Sequence, residues 1–253
     1  AYRISTPLIF DGYKTNASGE TETDRNSSAV RVITPVQNAQ WIGGYIDVPD
    51  RSTYIFDLEY AVNCKIKDCI VECGRRGNRA VRMSSCFNCE AENVEVINDP
   101  TLSWVYSTYH AVLNRFLTVG TQFCGFRNVK SSYGAQVVDF TYSSAHPYSN
   151  VGSYCIDSHF YSNFEGLTSH PGNYREVWSG NRISMCQGEV DGLVVRGNSA
   201  VITNNIIDGA FYSNTAPDDS CGISIVYGAR NCKIFSNSIS RFSSAFAIRD
   251  SST

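Results

Sequence analysis

Alternate residues of the segment that begins at Cys64 read Cys64-Ile66-Asp68, and the positions between them, Lys65 and Lys67, are charged. The same period of two returns as Cys89-Ala91-Asn93, with Glu90 and Glu92 between, then as Cys124-Phe126-Asn128 and Cys232-Ile234-Ser236. Such alternation puts one set of side chains on each side of a strand. The inward set runs small, mostly apolar, small polar; the intervening charged positions must face outward. Ser199-Val201-Thr203 has the same form without the thiol, and the dipeptide Asn-Cys opens three of the copies, at Asn63, Asn88 and Asn231. The Asn or Asp three to four residues after each opening is expected at a bend between strands, where side-chain amides can bond to one another and to turn backbone.

Copies beginning at 64, 89, 124, 199 and 232 recur at intervals of 25 to 35 residues where they are adjacent, and the interval from 124 to 199 leaves room for two or three more divergent coils. Recurrence on this scale marks a solenoid. Val, Ile, Thr, Ser, Asn and Gly dominate these segments, and the helical period is missing, so helical repeats are excluded. Stacked β-coils are expected, with the thiols forming a ladder of like residues facing the lumen.

The best matching stretches, "GLVVRGNSAVITNNIIDGAF" and "GISIVYGARNCKIFSNSISRFSSAFAIRD", resemble the right-handed parallel β-helix family of pectate lyases, polygalacturonases and bacteriophage tailspikes. The resemblance covers most of residues 55–250. It implies an all-β fold, a right-handed parallel β-helix with loop insertions in the middle coils. Residues 1–54 differ in texture: "DGYKTNASGETETDRNSS" is polar and turn-rich, followed by strand-like "AVRVITP" and "WIGGYIDV". They are expected to form the opening coils or a capping portion, with 55–253 as the continuous β-helix, since a solenoid's open end must be covered.

Composition narrows the function. With 253 residues and a net charge of -3, the chain lacks the basic balance of a nucleic-acid binder. It has no apolar run near the ~20 residues of a membrane helix. The opening "AYRISTPLIF" does not read as a signal peptide, and the chain is expected to be a piece of something longer. Ten cysteines permit disulfides in a secreted protein. Their place in a repeated core position favours reduced thiols in a protein folded in a cytoplasm. Cys86 and Cys89 form a CxxC, but thiols at alternating strand positions do not match paired zinc-ligand spacing; no metal and no cofactor are expected.

Candidate chemistry concentrates where the rhythm breaks, at residues 99–180, which hold all four histidines and eight of fifteen tyrosines. Aromatic rings flanked by polar groups suit sugars, and Trp104, Tyr106, Tyr109, His170, Tyr174 and Trp178 are the candidate substrate-binding residues. Asp157 and His159 fall on one strand face by alternation, and an Asp beside a His raises imidazole basicity, giving either a general base or a buried structural pair. Glu165 follows, with His170 and Glu176 on apparent turns. Asp218-Asp219 look like the paired aspartates of polygalacturonases, in which one acid protonates the leaving oxygen and another carboxylate activates water. The following coil carries "FSSAFAI" where that family has Gly-His-Gly, and its Arg-x-Lys element is missing. Glu189 and Asp191 are a weaker pair of the same kind. The catalytic candidates are therefore Asp157, His159, Glu165, Asp218 and Asp219.

The resemblance implies a homotrimeric tailspike-like module of a phage virion, folded in the host cytoplasm. Such a module binds and hydrolyses a bacterial surface polysaccharide, capsule or lipopolysaccharide. Two alternatives stay open on the residues: a non-enzymatic glycan-binding adhesin or structural virion component, and a secreted microbial polysaccharide lyase or glycosidase.

Overall fold

In the computed structural model, residues 36–48, 54–73, 79–98, 116–132, 137–141, 149–163, 166–185, 191–209 and 220–249 are described, together with the backbone of the strands Tyr2–Arg3, Leu8–Asp11 and Ser28–Ile33. The chain winds as a parallel β-solenoid. Each rung lays down two strands of a fifteen-stranded sheet and one of a ten-stranded sheet, and every strand pairing among the described residues is parallel. The expected all-β parallel coil is what the chain forms. Leu8–Asp11 and Ser28–Ile33 pair in sequence with Tyr54–Glu59, so the first residues contribute rungs to the same ten-stranded sheet.

The repeated bend has a backbone cause. Within a typical rung a strand such as Gly125–Arg127 is separated from the next, Lys130–Ser132, by Asn128 and Val129. Asn128 takes the left-handed conformation (φ 48°), as do Asp68, Asn93, Asp157, Gly180, Asn204 and Ser236 at the same corner. Asn and Asp tolerate this region better than other side chains. They also stack: Asn93 Nδ2 donates to Asp68 Oδ1 and Asn128 Nδ2 to Asn93 Oδ1, both at 2.7 Å. A second external ladder runs through the Asn-Cys copies, where Asn88 Nδ2 donates to Asn63 Oδ1 at 2.8 Å.

The thiol column is real and runs inside. The Cys64 amide faces Cys89 Sγ at 3.4 Å, and the Cys89 amide faces Cys124 Sγ at 3.3 Å. The ladder of pairings carries the column on through Ser153, Glu176, Ala200 and Cys232. Two rungs therefore fill the interval that the sequence left open. One alignment is corrected by a single residue: Val201 pairs with Lys233, so Ala200 rather than Ser199 stands over Cys232. Ser199 is the left-handed corner residue (φ 58°). That corner accepts Asn, Phe, Gly, Arg or Ser in successive rungs, which hides the register from a search for like residues.

The lumen is filled by the inward faces of both sheets. Phe116, Phe126, Phe140 and Trp178 form a continuous aromatic stack, with Phe140 and Trp178 centroids 4.3 Å apart. Nearer the end of the solenoid, Asn181, Asn205 and Asn237 replace apolar residues at one inner corner. Asn205 Nδ2 donates to Trp178 O and to Asn237 Oδ1, both at 2.9 Å, while its Oδ1 accepts from Asn181 N and Nδ2 at 3.0 Å. Buried amides are tolerated because each donor and acceptor is matched one rung away.

Candidate active site

In the ten-stranded sheet, Phe56, Val81, Phe116, Val138, Leu167, Leu193 and Ile223 point into the core. The residues immediately after them form one register row on the opposite, outer side: Asp57, Arg82, Leu117, Asp139, Thr168, Val194 and Ser224. An outer row is expected to be wet. Here Asp57, Leu117, Asp139, Thr168 and Ser224 are all at most 4 % exposed. Two of the longest connections in the chain, 99–115 and 210–219, lead into strands of this sheet, and both lie outside the described residues.

Part of the row is closed by its own pairing. Arg82 grips Asp57 through Nε and Nη2 at 2.6 and 2.7 Å, with its guanidinium 4.4 Å over the Tyr54 ring. The next rungs hold a more reactive arrangement. His170 Nε2 lies 3.3 Å from Asp139 Oδ1; the carboxylate is buried, while the imidazole is about one-third exposed (37 %). One rung further, Arg196 Nη1 donates to Thr168 Oγ1 at 2.7 Å and to Ser169 O at 3.1 Å, and its guanidinium stands 5.2 Å from the Tyr227 ring. At the row's far end, Asp191 accepts from Cys221 N at 2.9 Å and from Ser224 Oγ at 2.5 Å, with Arg249 Nη1 3.6 Å away. Carboxylate, imidazole and guanidinium thus follow one another along a single face. An imidazole set against a buried carboxylate is a proton-transfer pair, and a neighbouring guanidinium can stabilise negative charge that develops in a reaction.

Beneath this face sits Glu176, wholly buried in the thiol column. Trp178 Nε1 donates to its Oε2 at 2.9 Å, and Oε1 accepts no hydrogen bond from the described residues. Burial pushes the Glu176 carboxyl up to about 7, and the Asp139 charge works in the same direction; Trp178, Ser169 and His170 offset only part of this. Gly197 accommodates the carboxyl: a Cβ there would fall 1.7 Å from Glu176 Oε1.

The structure redistributes the residues singled out in the sequence. Asp157 and His159 do not share a face. Asp157 is the left-handed corner residue between Tyr154–Ile156 and His159–Asn163 (φ 53°), so the bend interrupts the alternation that was read across it. His159 lies beside the Tyr161 ring at 5.6 Å, and burial together with Arg182 and Lys130 lowers its pKa; the expected rise from Asp157 is replaced by a fall. Trp178 belongs to the buried aromatic stack and cannot stack on a sugar. Tyr174 is exposed at a corner, with the Arg175 guanidinium 5.2 Å from its ring. Among the described candidates, His170 and Asp191, the latter from the weaker Glu189/Asp191 pair, reach the outer row of the ten-stranded sheet. Trp104, Tyr106, Tyr109, Glu165, Asp218 and Asp219 lie outside the described residues. Asp139 and Arg196 were missed, since "VVDFTY" reads as an ordinary strand with one charged residue. A signal was present, because Asp139 falls between inward Val138 and Phe140.

No family model matches the chain, and no curated protein matches it. Among solved structures it is similar to the polygalacturonase from Erwinia carotovora ssp. carotovora, with a TM-score of 0.59 at 9 % identity, over 98 % of this chain and 82 % of that one. At that identity the likeness is one of fold, a parallel β-helix.

Proposed function

We propose that the chain is a polysaccharide-cleaving enzyme whose site is the outer face of the ten-stranded sheet, with Asp139 and His170 as its proton-transfer pair. The observation that carries this reading is the buried Asp139 carboxylate aimed at a partly exposed imidazole on a face lined with Arg196, Asp191 and Arg249. A solvated structural pair has no need of such burial. Glycoside hydrolysis requires two proton-transferring groups about the scissile bond. His170, 3.3 Å from Asp139, supplies one; Asp191 on the same face, or Glu165, Asp218 and Asp219 in the connections that lead into it, supply the second. Arg196, one rung further along the same face, favours a second reading, β-elimination, in which His170 removes a proton and the guanidinium steadies the resulting anion.

The biological setting that fits best is a phage tailspike-like trimer acting on capsule or lipopolysaccharide. Its support is the column of free, buried thiols, which suits folding in a reducing cytoplasm. Incubation with a panel of capsular and lipopolysaccharide glycans, read by reducing ends and by unsaturated products, tests the activity and separates hydrolysis from elimination. Asp139→Asn and His170→Asn should each lower turnover by about 10²-fold or more while the fold persists. Full activity in both variants would remove these two residues from the mechanism, and binding without any product would leave a glycan-binding adhesin. Light scattering giving a monomer would set aside the trimer.

A further inference from the structure

Charge is arranged differently on the two strand stacks of the fifteen-stranded sheet. On the first, opposite charges interleave from rung to rung: Lys65 meets Glu90 at 3.2 Å, Glu90 meets Arg127 at 3.3 Å, and Lys67 meets Glu92 at 2.9 Å. On the second, Lys130, His159 and Arg182 are direct register neighbours on three successive rungs. The run is bounded by Glu95 before Lys130 and by uncharged Ile206 after Arg182. Among the described residues, neither Lys130 nor Arg182 has a carboxylate within 4.0 Å. Asp208, whose charge reaches Arg182, is held by Arg241 through both oxygens.

Rungs stack at ~4.8 Å, and like charges that face each other across neighbouring strands repel. The repulsion reaches His159, whose pKa is lowered by burial and then by both flanking cations. The exposed Tyr161 ring lies beside this imidazole and adds a flat apolar surface at the edge of the column. A fold that pairs its charges on one stack and leaves them unpaired on the next has a basic strip open to an external anion. A polymer laid along the solenoid axis meets the cations at regular steps, as a chain of acidic sugars would.

We propose that the Lys130–His159–Arg182 column is a docking strip for an acidic polysaccharide, which runs along the solenoid axis with its carboxylates one or two rungs apart. The strip lies on a different sheet from Asp139 and His170, so it binds whether or not that site cleaves.

Immobilised alginate, a polyuronate, is the probe, with heparin as a sulfated polymer and dextran as a neutral one. The protein should bind alginate at low ionic strength, less as salt rises, and ignore dextran. Lys130→Gln/Arg182→Gln should weaken alginate binding by at least about tenfold, since two charge-assisted contacts are lost. It should melt no lower than the parent, because repulsion is relieved. Lys65→Gln/Arg127→Gln removes the same charge from the interleaved stack and should leave binding unchanged. The proposal is overturned if alginate does not bind, if both double variants weaken binding equally, or if only heparin binds. Loss of binding accompanied by a lower melting temperature would also overturn it, by marking the column as structural.

Discussion

Glu176 sets a pH dependence that a solvated carboxylate would not. Its ordinary value of 4.5 rises to about 7 in the fold, chiefly through burial. Between those values the native state holds a proton that the unfolded chain has released. This group therefore favours folding most below about pH 4.5, and the benefit drains away as pH rises to about 7, after which it is flat. The shift corresponds to about 3 kcal/mol at ~1.4 kcal/mol per unit. Glu176→Gln keeps an acceptor for Trp178 Nε1 and removes the titration. Urea unfolding at pH 5 and pH 8 should show the parent losing stability over that interval and the variant losing about 2–3 kcal/mol less, since part of the benefit is already gone at pH 5. Equal losses would place the pH sensitivity elsewhere. Alternation in "REVW" does show that Glu176 and Trp178 point the same way. That the direction is inward cannot be read there, because a carboxylate in a column of thiols looks like a surface residue.

Strand elements were the most legible level. Alternation assigned inner and outer faces correctly at Cys64, Ile66, Cys89, Ala91, Cys124 and Phe126, all buried. It failed where a left-handed corner interrupts the count, at Asp157 and at Ser199, since parity restarts after each bend. It also failed on the ten-stranded sheet, where both faces are dry and Asp139 is masked among apolar neighbours. The corner ladders differ in what they contribute. Asn205 is buried, and its amide is fully engaged between two rungs and the Trp178 carbonyl. Asn93 makes a similar external bond in water. Asn205→Ala should cost about 2–4 kcal/mol, because it strands buried partners, whereas Asn93→Ala should cost about 1 kcal/mol or less. Denaturant midpoints decide this, and similar losses would mean that the inner ladder is no more than packing.

At the scale of the whole molecule, eight described cysteines are free and seven of them are buried. Burial pushes the Cys69 thiol up to about 11 and Cys155 up to about 12, and it raises Cys86 and Cys124 further. Such thiols are poor nucleophiles. Reaction with a disulfide reagent should be slow in the native protein and prompt in denaturant. A denatured chain that showed no thiols would point instead to an oxidising compartment and the secreted reading. The architecture could be anticipated because its repeat is periodic; of the candidate site, His170 and Asp191 could be singled out, but the partner Asp139 could not, because it lies among apolar neighbours on a strand that is dry on both faces.

Stacked residues are separated by anything from 22 to 44 positions in sequence, yet the two-residue corner between the paired strands of a rung never changes from Gly125–Arg127 onward. The variable length falls almost wholly in chain that enters or leaves the ten-stranded sheet. Selection can therefore splice, lengthen or exchange those excursions as cassettes while the spool beneath keeps its winding.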